Sequence, residues 1–161
     1  MITIRCETGD DVQVSADTLA GANLSGLNLH RALLDGQVLC GANLWNTDLR
    51  SAWLEGAILD HADLAHARLP ACNASRASFV GANLVQAFMR SADFKQANFT
   101  GADLREADVG RSQMQGAIFD GADLRAIDLH DAKLTGAHAD QHTKWPDDFD
   151  PEAHGVIMRR V

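Results

Sequence analysis

Residues 21–24 read Gly-Ala-Asn-Leu, and this motif or a close variant returns every twenty residues along the chain. A shorter period of five runs between these recurrences. From Leu24 to Ala139, 22 of the 24 positions spaced by five are Leu, Phe, Met or Val, and 18 of the 24 positions two residues earlier are Ala. Nested periods of this regularity predict a repeat architecture. The motif recurs at 41–44, 61–64, 81–84, 101–104 and 121–124.

A period of five fits neither regular secondary structure. Five residues advance an α-helix by about 500°, so the large apolar side chains would spread around the axis. On a β-strand, five is odd, so they would alternate between faces. All of them can point inward only if the chain bends once per repeat. The period of twenty then predicts a four-sided coil in which residue i stacks on residue i+20.

The pattern Ala-[Asp/Asn]-[Leu/Phe]-x-x resembles the pentapeptide-repeat family over about three quarters of the chain. The resemblance implies a stand-alone bacterial member with an all-β fold, a right-handed quadrilateral parallel β-helix. Residues 22–141 would make about six coils, and at about 4.8 Å per coil the rod would be about 29 Å long. The Asp or Asn position is expected to support each corner, because these side chains hydrogen-bond to nearby backbone. Family membership alone implies no activity, since one fold serves many roles.

Both ends of such a rod need caps, because an open coil would leave backbone groups free to pair with other chains. Residues 1–21 predict a β-hairpin followed by a short helical link at Ala16–Leu19. Residues 142–161 predict a C-terminal cap in which Trp145 and Phe149 cover the last coil. Within this cap, a helix is expected to begin near Asp150-Pro151 and to reach about Met158. Caps and repeat together make one structural domain.

Composition narrows the class of function. The 161 residues carry 22 acidic and 14 basic side chains, for a formal net charge of −8. This balance disfavours direct binding to nucleic acid, which needs a cationic surface. The N-terminus lacks the order of a signal peptide, and no apolar run reaches the roughly 18 residues of a membrane helix. The three cysteines have no metal-like spacing and suggest reduced thiols, so we expect a cytoplasmic protein that does not bind membranes.

The sequence carries no pattern typical of catalysis. A nucleophile elbow, a phosphate-binding loop, a dinucleotide fingerprint and zinc-ligand spacing are all missing. The outward side chains of a convex rod also diverge, which leaves no concave site for a substrate. We therefore expect no enzymatic activity, no catalytic or metal-binding residues and no cofactor.

Two sets of residues are candidates for binding a partner. The first is a row of arginines on one side of the coil, opposite a side that carries acids and no Lys or Arg; the simpler interpretation is that these arginine stems only cover a solvated wall. The second is apolar: four residues stand where Asp or Asn is usual, and stacking at i+20 predicts one patch. The alternatives are that the N-terminal hairpin covers this patch, or that the side chains tuck between coils. The candidate residues are Arg31, Arg50, Arg90 and Arg111 in the first set and Leu33, Val38, Trp53 and Ile58 in the second.

These features favour a non-catalytic protein-interaction or scaffold rod whose partner is another protein. The alternative is a DNA-mimicking modulator or protector of DNA gyrase or topoisomerase, a role that the resemblance brings with it. A mimic needs a continuous acidic surface, whereas the two freely outward positions of each repeat carry seven acids and eight bases within 22–141. The resemblance also implies that an end cap could join two copies into a homodimer.

Overall fold

The computed structural model describes residues 1–160, and the repeat forms a four-sided parallel β-helix. Isolated parallel bridges join residue i to residue i+20 along four ladders, as the period of twenty predicted. Each side of the coil is named here after the first residue of its ladder. The four sides are the Asn23 face, the Asn28 face, the Leu33 face and the Val38 face.

Asn and Asp side chains hold the turns, but they do not stand at the corners. Their backbone lies on the flat faces, where the ladder bridges form. The corner itself is made by the second and third residues after each of them, for example Ser25 and Gly26, and Gly26 has a φ of +68°. The Asn23 side chain reaches the corner, where its Oδ1 accepts the Ser25 backbone N–H at 3.2 Å. The predicted support is therefore present, but the corner lies two and three residues after the Asn or Asp that supports it.

The interior is filled by the inward Leu and Phe positions, which stack in the same register as the backbone. Phe79 lies on Phe99 with ring centroids 4.9 Å apart, and Phe99 lies on Phe119 at 5.4 Å. Phe94 packs edge-on against this stack from the neighbouring side. All four rings are fully buried, so they supply the largest single contributions of apolar area to the core.

From the second coil onward the inward alanine position accepts only small side chains, whereas in the first coil it holds Leu27, which is partly buried, and Gln37, which is exposed. Where it is polar, a hydroxyl donates to a backbone carbonyl: Thr47 donates to Leu24 O at 2.8 Å, and Ser112 donates to Val109 O at 2.7 Å. Cys72 is buried at the same kind of position, and burial raises the pKa of its thiol well above the usual range. This cysteine therefore stays a neutral core residue.

One residue that is too large for this position shifts the register of the coil. Ile127 falls at an alanine position, yet it bridges Asp108 at a spacing of 19 and its side chain is 50% exposed. Asp128 follows in the left-handed region with φ 57°, and a 3-10 helix, η1, spans Leu129–Asp131. The spacing of twenty returns at Lys133 and His138, and the Asn23 face ends with Asp123 bridged to Lys144 at a spacing of 21. Because extra methyl groups in a packed interior cost about 1–3 kcal/mol, the chain turns the isoleucine outward instead.

The N-terminal residues pair with the open edge of the first coil. Strands β1 (Ile2–Ile4) and β2 (Val12–Val14) form an antiparallel pair. The chain between them continues along the coil, where Arg5 O accepts the Leu33 N–H at 2.8 Å. The helical link predicted at Ala16–Leu19 is absent, and that prediction was wrong. Leu19 is buried five residues before Leu24, so the five-residue repeat already begins there.

The C-terminal cap ends in a strand rather than a helix. A 3-10 helix, η2, covers only Glu152–His154, and Gly155 ends it in the left-handed region at φ 79°. Strand β4 (Ile157–Arg159) then pairs in parallel with β3 (His138–Asp140). The predicted helix to Met158 was therefore wrong, because the open edge of the last coil offers these residues backbone partners. Trp145 and Phe149 stack at 5.4 Å and pack against the core at this end.

Candidate interaction surface

Four exposed apolar side chains form two stacked pairs on adjacent faces. Leu33 bridges Trp53 on the Leu33 face, and Val38 bridges Ile58 on the Val38 face. Their exposed fractions are 44%, 39%, 47% and 36% in that order. The two faces are joined by corner residues 35–36 in one coil and 55–56 in the next. The four residues are thus two neighbouring pairs, divided by an edge of the rod.

The N-terminal segment touches one pair without burying it. The backbone around Arg5 runs along Leu33, while the Glu7 carboxylate accepts hydrogen bonds from Arg31 at 2.9 Å and 2.8 Å. Hydrogen bonds from the Trp53 and Arg31 side chains hold the pKa of Glu7 below its usual value. The segment therefore lies beside Trp53 on one side and leaves it 39% exposed to solvent.

The corner between the two pairs depends on an aspartate from the neighbouring coil. Trp53 has no side-chain acceptor for the Glu55 backbone N–H, which Asn or Asp supplies elsewhere. Asp35 of the preceding coil provides it, with its Oδ1 2.8 Å from the Glu55 nitrogen. Asp60 supports the Val80 N–H in the same way at 3.1 Å, where Ser78 replaces the usual Asn or Asp. Such acidic corner residues compensate for the loss of Asn or Asp on the faces.

The candidate arginines all lie at corners between the Asn28 and Leu33 faces, but most of them form ion pairs with acids of the same chain. Arg50 Nε donates to both Asp48 oxygens at 2.9 Å. Arg90 bridges two coils, with its Nη1 2.8 Å from Asp108 Oδ1 and 2.6 Å from Asp128 Oδ2. The Asp128 carboxylate is available to Arg90 at the point where Ile127 has shifted the register.

Arg111 differs from the other three candidate arginines. Arg31 pairs with Glu7, as described above, whereas no acid lies within ion-pair distance of Arg111 among residues 1–160. The structure places Arg31 and Arg50 beside the Leu33–Trp53 pair and sets Arg90 and Arg111 two or more coils farther along. The row is therefore a set of internal ion pairs more than a free cationic surface.

On the opposite side, which was predicted to carry acids and no Lys or Arg, two carboxylates also have partners within the chain. Asp120 Oδ2 accepts a hydrogen bond from Arg159 of β4 at 2.9 Å. Asp140 Oδ1 accepts the Gly121 backbone N–H at 2.9 Å, and this bond, more than any other, lowers the pKa of Asp140. An arginine from the cap thus pairs with Asp120, a contact that sequence periodicity could not place.

Other exposed apolar residues were missed by the sequence argument. Trp45 stands at a freely outward position and meets the His66 ring edge-on at 6.1 Å. Phe88 replaces Asp or Asn on the Asn28 face, as the two pairs do on theirs. The same signal, an apolar residue at the Asn/Asp position, would have found Phe88 but not Trp45.

Two further structural findings concern the described part of the chain. Within residues 1–160, no helix has the length and hydropathy needed to cross a membrane. The same residues contain no group of three or more His, Cys, Asp and Glu side chains that could hold a metal ion.

Comparison with known proteins settles the family. The model for pentapeptide repeats matches residues 19–56, 57–96 and 97–136. The chain belongs to the pentapeptide-repeat family. Membership implies a right-handed β-helix for this pentapeptide-repeat protein. A search of curated proteins found no match.

Several solved structures resemble this pentapeptide-repeat protein. One from Nostoc PCC 7120 is 26% identical and covers 73% of this chain and 84% of its own, with a TM-score of 0.37. A family member from the thylakoid lumen of Arabidopsis thaliana is 24% identical, covers 81% and 70%, and has a TM-score of 0.41. Full-length QnrB1, a plasmid-mediated fluoroquinolone resistance protein, is 16% identical, covers 87% and 85%, and has a TM-score of 0.41.

Proposed function

We propose that this pentapeptide-repeat protein is a non-catalytic interaction rod of about six coils that acts in the bacterial cytoplasm. Its docking surface for a partner protein is formed by the Leu33–Trp53 and Val38–Ile58 pairs. The observation that carries the proposal is that both pairs stack in register and yet stay exposed. Exposed clusters of large apolar side chains on a soluble protein commonly mark interaction sites.

The fold itself does not call for apolar side chains at these positions. Asn and Asp are favoured there because they support the corners, and residues 33, 38, 53 and 58 forgo that support. Asp35 restores it at one corner from the neighbouring coil. The coil neither buries these four side chains nor needs them for its corners. Contact with a partner protein accounts for their presence.

The arginines take different parts in the proposal. Arg31 and Arg50 form a polar rim beside the Leu33–Trp53 pair, where rim charges guide association more than they add affinity. Arg90 joins two coils through its aspartates, so its contribution is to hold the rod together. Arg111 has no acid partner within residues 1–160 and remains the candidate for contact with an acid on the partner.

A four-residue variant tests the docking surface. We expect L33S/V38S/W53S/I58S to lose a partner protein that the wild type captures from its native cell, while the melting temperature stays within a few degrees. The matched control is W45S/F88S, which removes exposed aromatic residues elsewhere and should keep the partner. Equal capture by wild type and the four-residue variant would rule out the proposed surface.

A DNA-mimicking modulator of gyrase is the alternative function. The net charge of −8 favours it, whereas the ion pairs along the Asn28 face and at Asp120 disfavour it, because a mimic needs acids that remain free. A supercoiling assay separates the two functions. Inhibition or protection of gyrase at micromolar protein, kept in the four-residue variant, would favour mimicry over apolar docking.

Self-association through an end cap is a further prediction for this protein. Light scattering over a range of concentrations measures it directly. A constant monomer mass would exclude the homodimer.

A further inference from the structure

The two apolar pairs lie in different electrostatic surroundings. Beside the Leu33–Trp53 pair, each arginine is matched by an acid: Arg31 by Glu7 and Arg50 by Asp48. The charges at this edge are therefore matched within the chain, while Leu33 and Trp53 remain exposed.

Acids flank the Val38–Ile58 pair on both sides. Corner residues Asp35 and Glu55 lie between this pair and the Leu33 face, and Asp60 lies at the next corner. Within residues 33–62 the one Lys or Arg is Arg50, which belongs to the far edge of the Leu33 face, and His61 lies next to Asp60 at its corner. A base from the following coil, Arg76, pairs with Glu55. Asp35 and Asp60 have no ion-pair partner in the described chain.

These two carboxylates are held in place but keep capacity to accept further hydrogen bonds. Asp35 Oδ1 accepts the Glu55 N–H, and Asp60 Oδ1 accepts the Val80 N–H and the Ser78 hydroxyl. The second oxygen of each has no hydrogen-bond partner among residues 1–160. A charged group that the fold already orients loses less entropy on binding than a freely rotating one.

From this arrangement we infer that the Val38–Ile58 pair binds a segment of a partner protein in which apolar side chains stand next to Lys or Arg. Apolar side chains of the segment cover Val38 and Ile58, and its cations meet the free oxygens of Asp35 and Asp60. The inference rests on the proposed function and names the chemistry of the partner. A second copy that presents this same surface is the wrong occupant, because its acids would face the same acids.

The chain carries a reporter for this site. Cys40 lies two residues after Val38 and is partly exposed, whereas Cys6 and Cys72 are buried. Under native conditions a thiol reagent such as Ellman's reagent should therefore modify Cys40 first. A peptide bound over Val38 and Ile58 should slow that reaction.

The probes are three synthetic peptides of equal length. One alternates Lys with Leu, the second replaces each Lys by Glu, and the third replaces each Leu by Ser. We expect the Lys–Leu peptide to slow modification of Cys40 in the full-length protein, and the other two to leave the rate unchanged. Raising salt from about 0.1 M to about 1 M should weaken the protection, since the Debye length falls from about 10 Å to about 3 Å.

Two sets of variants locate the binding. V38S/I58S and D35N/E55Q/D60N should each weaken binding of the Lys–Leu peptide about tenfold, the first because apolar anchors are lost and the second because hydrogen bonds between the oriented carboxylates and the cations of the peptide are lost. The Asn substitutions keep an oxygen for the backbone N–H groups, so the coil should stay folded. The matched controls, W45S/F88S and D147N/E152Q, remove apolar and acidic side chains elsewhere and should bind as the wild type does.

The outcomes separate the partner chemistry from the docking surface itself. Protection by the Glu–Leu peptide, lost in V38S/I58S, would overturn the cationic partner while leaving the docking surface in place. Binding of the Lys–Leu peptide without protection of Cys40, or equally strong binding to D35N/E55Q/D60N, would overturn the inference. Loss of the native partner in the four-residue variant remains a separate test of the proposed function.

Discussion

At the scale of the residue, the inward alanine position decides where the coil stays regular. Thr47, Cys72 and Ser112 fit it because they are little larger than alanine and their polar groups find partners or stay neutral. Ile127 does not fit, and the chain shifts by one residue there. The Ile127 side chain therefore causes both the left-handed backbone conformation of Asp128 and the 3-10 helix that follows it.

Ile127→Ala should restore the regular coil. An alanine fits the inward position, so Asp128 can take its place on the ladder opposite Asp108. We expect an unchanged or higher melting temperature, although removing a large apolar side chain from a core usually costs about 2–5 kcal/mol. Differential scanning calorimetry and a crystal structure of the variant measure both effects.

Leu129→Ala is the control for this prediction. Leu129 is buried, so its removal should lower the free energy of unfolding by about 2–5 kcal/mol. If Ile127→Ala destabilises the protein as much as Leu129→Ala, then Ile127 is not the cause of the register shift.

At the scale of the element, the four short strands serve the ends of the rod. Strand β4 covers the edge that β3 would otherwise leave open, and the Ile157 N–H donates to Ala137 O at 2.7 Å. The Ile157 side chain is itself exposed, so its backbone matters more than its apolar surface.

Ile157→Pro should therefore loosen the C-terminal cap. Proline removes the N–H that binds Ala137 O and disfavours the strand. We expect faster hydrogen exchange at residues 137–140 and a tendency to form aggregates through the freed edge, both measured on the full chain. Ile157→Ser keeps the N–H and should behave as the wild type; aggregation of both variants would point to the lost side chain instead.

Sequence patterns predicted the repeating coil and the antiparallel pair of strands near the N-terminus, but they missed the C-terminal strands β3 and β4. Leu24 and its successors define the coil because every copy meets the same requirement. Residues 157–159 have no such copies, and their strand depends on an open edge that only the assembled coil presents. The ion pair between Asp120 and Arg159 joins residues 39 apart in sequence, so no local pattern could predict it.

The candidate surface was predictable to a similar extent. The four apolar residues stood out because each replaces Asp or Asn in a known pattern. The ion pairs of Arg50 and Arg90 were harder to predict, because they depend on side-chain conformations at neighbouring corners. Asp35 as a substitute acceptor for the Glu55 N–H was equally hidden from sequence.

At the scale of the whole molecule, a net charge of −8 is carried without a continuous acidic stripe, because arginines at the corners pair with aspartates on the faces. On the Asn23 face, hydrogen bonds from Arg105 lower the pKa of Asp103, and those from Arg125 lower the pKa of Asp123. Several such pairs make the rod sensitive to acid.

Stability should fall on acidification. The pKa of Asp103, Asp123 and Asp140 is lower in the folded protein than the unfolded value of about 3.9, so folding favours their charged forms. Their contribution to the free energy of unfolding is present above about pH 4 and is lost as the pH falls through the folded values. Urea unfolding between about pH 6 and pH 2.5 measures the effect. The variant R105Q/R125Q should show a smaller decline, and an equal decline would exclude these pairs as its cause.

The spacing of twenty has a consequence at the level of the gene. The interior of each coil packs against its two neighbouring coils. Duplication or loss of sixty nucleotides therefore adds or removes twenty residues, which is one whole coil, and the remaining inward positions keep their register. Outward positions that support neither a corner nor an ion pair can then accumulate substitutions with little penalty to folding. A lineage could thus lengthen this protein or redirect it to a new partner by recombination between its own repeats.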